Sequence, residues 1–237
     1  MTKTQSGTLV VDGVEYGSYP PPIELLKAMK RRWAEALVEY GQMRFGSLAS
    51  YRQWENVVLG DPNDGQGMFR MSGHPYQTGS ANAVYAWCAS MPGITAERTL
   101  LLAQHCDYDC VVRVHKPLVL IRRVHSALVN VHQSLLLHCS EVSYDRGGEV
   151  NTQTLNSQKF HFNVFQKDAV FSPDMEYRLS LTDACLRAKP ERFVEILVGD
   201  CSDIIAIEEL PKSAIQPGAA AQDLPDNSIR PSGRSKL

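Results

Sequence analysis

Three short segments of this 237-residue chain carry side chains whose types and spacing suit them to chemistry. The first is MRFGSLASYRQWEN (residues 43–56), followed closely by the turn DPNDGQG (61–67). If residues 42–47 form a strand, Arg44 shares a face with Gln42 and Gly46 while Met43 and Phe45 point toward a core. An arginine on an open strand face, beside a glycine and Ser47, can hold a phosphate through its forked guanidinium. Farther on, Tyr51 and Glu55 stand four residues apart, and Arg52 sits one helical turn from Glu55. Their plain reading is an exposed ion pair over packed aromatics, so Arg52 and Glu55 are assigned to the scaffold. The second segment is VYAWCAS (84–90), a buried strand by its composition, with Ser90 where the chain leaves the sheet. Ser90 is turn material or a site hydroxyl. The third is FSPDMEYRLSL (171–181), in which Glu176 and Arg178 share one strand face and Tyr177 takes the other. On a surface such a pair is a weak salt bridge. Facing a cleft, Glu176 can instead grip a ribose hydroxyl and stabilise positive charge at the anomeric carbon, with Arg178 holding it ionised.

The elements that must position these residues follow from hydrophobic period and turn chemistry. Residues 8–16 read as a hairpin turning at Asp12-Gly13, and SYPPP (18–22) as a rigid spacer. A helix is expected from about Pro22 to Tyr40, stopped by Gly41. On it Ile23, Leu26, Met29, Trp33 and Leu37 form the apolar face, and Lys27, Lys30, Arg31 and Arg32 a solvated basic side that could also meet a phosphate. A strand over 42–47, a short helix within 49–60 and a strand at MFRM (68–71) come next. After the 84–90 strand the pattern predicts a helix over 95–106 capped by Thr95, a strand over 108–115, a helix over 116–133 and a strand over 134–145. Residues 146–158 read as a polar loop, 159–168 as helical or mixed, and the remainder to about 210 as two or three strands. Beyond Pro211 the Pro/Ala/Ser/Gly-rich sequence reads as a disordered tail. The expected fold is α+β: one domain over 22–210, preceded by a hairpin and spacer (1–21), with a split or mostly antiparallel sheet and a few flanking helices.

Several functions lose their grounds. The net charge of −2 gives no basic excess to suggest a nucleic-acid or membrane-surface binder. The N-terminus lacks a secretion pattern and no apolar run approaches eighteen residues, so the chain reads as cytoplasmic, with its six cysteines reduced. Neither G-x-x-x-x-G-K-[ST] nor G-x-G-x-x-G is present, nor H-E-x-x-H, G-x-S-x-G or a zinc-deaminase signature. Cys106 and Cys110, with His105 and His115, have ligand types for zinc. A strand pattern there turns alternate residues to opposite faces, and no metal is expected.

Taken in order, RFGSLASYRQWENVVLGDPNDGQG, YAWCAS, DYDCVVRV and FQKDAVFSPDMEYRLSL resemble a widespread bacterial domain family of unknown function over about residues 42–182. That family shows an aromatic-Ser start, an NDP-E-like acidic turn, a C-F-S strand and a late Lys…Glu-x-Arg-Leu segment. This chain departs from it at Asp61-Pro62-Asn63-Asp64-Gly65, which lacks the preceding Asn and carries Asp for Glu, and at Cys88-Ala89-Ser90. The layout also resembles ADP-ribosyltransferases, which implies NAD as substrate. In that likeness Arg44 holds the dinucleotide, Tyr51 stacks on nicotinamide, and Ser90 and Glu176 serve the reacting ribose; beside the likeness, Ser47 and Arg178 are assigned with Arg44 to dinucleotide binding. The position two before Glu176 holds Asp174, and modification of protein arginine is not specifically implied. The resulting expectation is an NAD-acting transferase or glycohydrolase of toxin or phage-defence type, with a protein or nucleic-acid acceptor and no membrane partner. The expectation from a different class is a non-enzymatic binding or regulatory module, whose interface is the acidic turn 61–64 with the Arg/Tyr-bearing helix.

Overall fold

The computed structural model describes residues 2–3, 9–52, 61–79, 83–132, 134–151, 163–183 and 191–211. Thirteen strands and four α-helices are present among them: β1 (Thr2–Lys3), β2 (Leu9–Val11), β3 (Val14–Tyr16), β4 (Leu25–Met29), α1 (Arg31–Tyr40), β5 (Gln42–Ser47), α2 (Leu48–Tyr51), β6 (Gln66–Met71), β7 (His74–Gly79), β8 (Val84–Ser90), α3 (Ala96–Cys106), β9 (Cys110–Val114), α4 (Pro117–Val131), β10 (Leu135–Glu141), β11 (Glu176–Asp183), β12 (Phe193–Leu197) and β13 (Ile205–Glu209). A 3-10 turn over Ala169–Asp174 leads into β11. The architecture is α+β, with one large, almost wholly antiparallel sheet and a separate β6–β7 ribbon; among the described strands only β3 and β10 pair in parallel. No described helix is long and apolar enough to cross a membrane.

Local chemistry accounts for most boundaries. Asp12 and Gly13 both take positive φ, the geometry that a two-residue hairpin turn requires. Thr95 caps α3 by accepting from the Arg98 amide, and Pro117 opens α4. The hairpin β2–β3 does not stand apart from the body, since β3 joins the main sheet through β10.

The expected helix over Pro22–Tyr40 is divided. Residues Leu25–Met29 are a strand, and the helix begins only at Arg31. LLKAM has good helix propensity, but β4 pairs along its whole length with β9 and buries Leu25 completely. Tertiary pairing overrides propensity here. Residues 53–60 and 152–162 and the tail from 212 lie outside the described residues. The short helix is therefore described only over Leu48–Tyr51, and Glu55, the first four residues of the 159–168 segment and the expected disordered tail lie outside the described residues.

The core lies on one face of the sheet. Tyr85 and Trp87 of β8 and Tyr177, Leu179 and Leu181 of β11 pack there with Ala34 and Leu37 of α1 and Leu120, Ile121, Val124 and Leu128 of α4. The opposite face carries a smaller apolar cluster of Leu48, Val84, Ala86, Val164 and Phe165. The sheet divides at β8. One edge of β8 is paired with β11 throughout, but its other edge is shared: Ala86 pairs with Gly46 of β5, and Ser90 with Leu26 of β4. Cys88 lies between these two pairings, so β4 and β5 diverge around it and leave a fork.

Candidate functional site

The site is built on β11, the most enclosed strand, all eight residues of which are buried. Alternation along an extended chain turns Glu176 and Arg178 to the face away from the main core, opposite Ser90 and Cys88 of β8. An ionised side chain is stable there only if it is paired and hydrogen-bonded. Arg178, with no exposed side-chain surface, donates from Nη1 and Nη2 to the two Asp64 oxygens at 2.8 and 3.0 Å, from Nε to Glu176 Oε1 at 2.5 Å, and from Nη1 to the Val164 carbonyl at 2.5 Å. Lys167 Nζ closes the network on Glu176 Oε2 at 2.7 Å. Burial alone would raise the Glu176 pKa, but Arg178 and Lys167, aided by a hydrogen bond from the Cys88 thiol, hold its carboxyl well below the usual carboxylate range. The same burial, with the Glu176 charge beside it, pushes the Cys88 thiol up to about 12.

Asp64 reaches this network because the turn before β6 is held from two sides. Arg146 binds the Asp61 carboxylate at 2.7 Å and the Asn63 carbonyl at 3.2 Å, while Arg52 Nη1 donates to the Asp64 carbonyl at 2.7 Å. Both aspartates are buried. The two carboxylates of the acidic turn thus point inward, to Arg146 and Arg178. The scaffold role expected for Arg52 holds.

Two cavities open where the sheet forks. The inner one, of about 180 Å³, is lined by Glu176, Ser90, Cys88 and Lys167, with Tyr51 and Lys27 on its wall. The outer one, of about 440 Å³, lies between β4 and β5 and includes Trp33, Arg44, Trp87 and Phe193. Lys27, Tyr51 and Tyr108 belong to both. Tyr51 reaches the boundary because Gly46 has no side chain: a Cβ there would stand 2.5 Å from the Tyr51 hydroxyl. Burial raises the Tyr51 phenol well above its ordinary value, keeping it protonated to donate to the Ala86 carbonyl at 3.3 Å. Lys27 donates to the next carbonyl of that edge, Cys88, at 2.5 Å. The fork leaves β8 backbone groups without a strand partner, and these two side chains serve them.

The residues singled out from sequence divide accordingly. Glu176, Tyr51 and Ser90, from three distant segments, line the inner cavity. Arg44 is in the adjoining cavity, stacked 4.9 Å from the Trp33 ring centre and 4.2 Å from that of Phe193, and 3.7 Å from Glu195. Ser47 is a correction: it is buried, its hydroxyl caps α2 by accepting from the Ser50 amide, and it lines neither cavity. Arg178 is a second correction. Its guanidinium is engaged by Asp64, Glu176 and Val164, so it positions Glu176 rather than binding a ligand. The Glu-x-Arg pair is a buried network and not a surface bridge. Among the described residues no three metal-ligating side chains converge, and Cys88, Cys106, Cys110, Cys139 and Cys201 are free thiols.

Sequence reasoning missed the places of Lys167 and Asp64 in this network, and it set Lys27 in a basic helical cluster rather than on a strand. Lys27 was masked by the helical pattern around it, and Asp64 by a turn composition that usually faces water. Lys167 does fall within the late Lys…Glu-x-Arg-Leu motif, which was the available signal.

Fold and site together define an α+β protein with an enclosed, charge-lined cleft at a division of its sheet. No known protein family, curated protein or solved structure matches the chain.

Proposed function

We propose that the cleft binds NAD and cleaves its nicotinamide–ribose bond, as an NAD glycohydrolase or an ADP-ribosyltransferase. The observation that carries this reading is the convergence of Glu176, Tyr51 and Ser90 on one cavity, with Arg44 in the cavity adjoining it through Tyr51. Glu176 accepts from Arg178 at Oε1, from Lys167 at Oε2 and from the Cys88 thiol, which leaves one lone pair of the carboxylate for a ribose hydroxyl. In the reaction the C1′–N bond breaks with its electron pair leaving on nicotinamide. The ionised Glu176 stabilises the cationic ribosyl centre. Water, or a nucleophile of a protein or nucleic-acid acceptor, then bonds to C1′ and releases its proton to solvent. Tyr51 stacks on the nicotinamide ring, Ser90 hydrogen-bonds the ribose, and Arg44 faces phosphate from the outer cavity. The setting proposed is the cytoplasm of a bacterial or phage-infected cell, where such an activity acts as a toxin or defence effector.

The test is incubation of purified protein with labelled NAD and cell lysate. Loss of NAD without a labelled macromolecule identifies the glycohydrolase, and a labelled macromolecule the transferase. Glu176→Gln, which keeps the shape of the side chain, is expected to lower turnover by about 10² or more. Undiminished turnover in that variant, or none in the unaltered protein, overturns the reading.

A further inference from the structure

One cation on the wall of the inner cavity stands apart from the ion pairs around it. Glu176 is paired with Arg178 and Lys167, Asp64 with Arg178, and Asp174 with Arg98 at 2.6 Å. Lys27 is the remaining cation of the lining, and it has no carboxylate of its own. Among the described residues no carboxylate lies within salt-bridge distance of Lys27, whose polar contact is the Cys88 carbonyl. Its ammonium also lies 5.1 Å from the centre of the Trp87 ring. Carbonyl and ring each supply partial negative charge, which is a weak exchange for the hydration a free ammonium enjoys. Burial accordingly lowers the Lys27 pKa.

What lies next to Lys27 suggests the missing counter-charge. The outer cavity adds Lys30, paired with Asp107 at 2.8 Å, Arg44, facing Glu195 at 3.7 Å, and Arg192, together with the rings of Trp33 and Phe193. Its volume of about 440 Å³ falls within the range of small-molecule sites. Aromatic faces with basic side chains suit a flat ring joined to a phosphate chain. We propose that the outer cavity is a nucleoside-diphosphate subsite and that Lys27, at its junction with the inner cavity, takes the phosphate nearest the reacting ribose. This rests on the nucleotide half of the function proposed above, not on the bond cleaved. Arg44 is the lesser anion contact, because its guanidinium is already stacked on two rings and faces Glu195. Lys27 is a binding residue here and takes no part in bond breaking.

The experiment is calorimetric titration of the full-length protein with ADP, AMP and adenosine, repeated with Lys27→Met and Arg44→Met. The expected result is affinity falling in the order ADP, AMP, adenosine, a tenfold or greater loss of ADP affinity in K27M, and a smaller loss in R44M. Melting of K27M at or above the unaltered protein's temperature is also expected, since the substitution removes a half-buried charge that has no carboxylate partner. ADP affinity in K27M equal to that of the unaltered protein, or adenosine binding as tightly as ADP, overturns the proposal. Should K27M not fold, lysine modification mapped by mass spectrometry on the unaltered protein decides instead. Protection of Lys27 by ADP supports the subsite, and equal modification with and without ADP rejects it. The two proposals fail separately: ADP binding without NAD turnover removes only the glycosidic chemistry, and NAD turnover without ADP binding removes only this subsite.

Discussion

Two arginine networks on the same sheet use the same parts in opposite settings. Arg178 forks onto Asp64 and adds Glu176 through Nε. Arg113 of β9 forks onto Glu208 of β13 at 2.6 and 3.0 Å and adds Glu24 at 2.8 Å. The Arg113 side chain is 28% exposed, and that of Arg178 is fully buried. At the sheet margin one cation against two carboxylates is acceptable, because water absorbs the odd negative charge. In the interior Lys167 joins and brings the Arg178 network to neutrality. The difference shows how to read the cleft. At a partly enclosed cleft a cation without a carboxylate signals a partner from outside, and among the described residues lining the inner cavity Lys27 is that cation.

Substituting both arginines breaks or sharpens that comparison, and Arg178→Met should give the largest effect. It leaves Asp64 and Glu176 buried without their shared partner, and a stability loss of about 3–5 kcal/mol is expected in chemical denaturation. Acid should act next most strongly. Glu176 titrates far lower in the folded protein than in the unfolded chain, where its carboxyl lies near the ordinary 4.5. Its contribution is therefore complete above that value and is lost as pH falls below it, with a limiting slope of about 1.4 kcal/mol per pH unit. Asp174, raised by burial and only partly offset by Lys167 and Arg98, runs the other way. The clean readout is thus the difference between the unaltered protein and E176Q, which should diminish below about pH 5. A pH-independent difference would place the Glu176 charge outside the folding balance. Gly46→Ala drives a methyl into the Tyr51 ring, and a loss of about 1–3 kcal/mol is expected together with reduced NAD turnover. Arg113→Met should cost least, within about 1 kcal/mol. Equal losses for Arg113→Met and Arg178→Met would remove the distinction between margin and interior.

Much of this was legible in the sequence. Strand alternation placed Met43 and Phe45 inward and Arg44 outward, and turn and cap residues located the hairpin at Asp12-Gly13 and the start of α3. The convergence of Tyr51, Ser90 and Glu176 was legible as a combination of residue types and order. The division of Pro22–Tyr40 was not, because the pairing of β4 with β9 is a contact across about eighty residues that no local pattern carries. The fate of Ser47 was hidden for a related reason. A serine at a strand end serves a helix cap or a ligand equally well, and only the following turn decides. Lys27 illustrates the cost of one wrong period: read on a helix it belongs to a solvated basic side, and read on a strand it faces the fork.

The reach of Arg178 to Asp64 has a kinetic consequence. The two residues are 114 positions apart, and neither charge is tolerable in the interior without the other. Closure of the β8–β11 face must therefore wait until the turn at 61–65 has docked, although β8 and β11 are otherwise ready to pair. Such a long-range requirement slows folding and favours late consolidation of this face. The charges that equip the cleft thus also tie its closure to the docking of a distant turn.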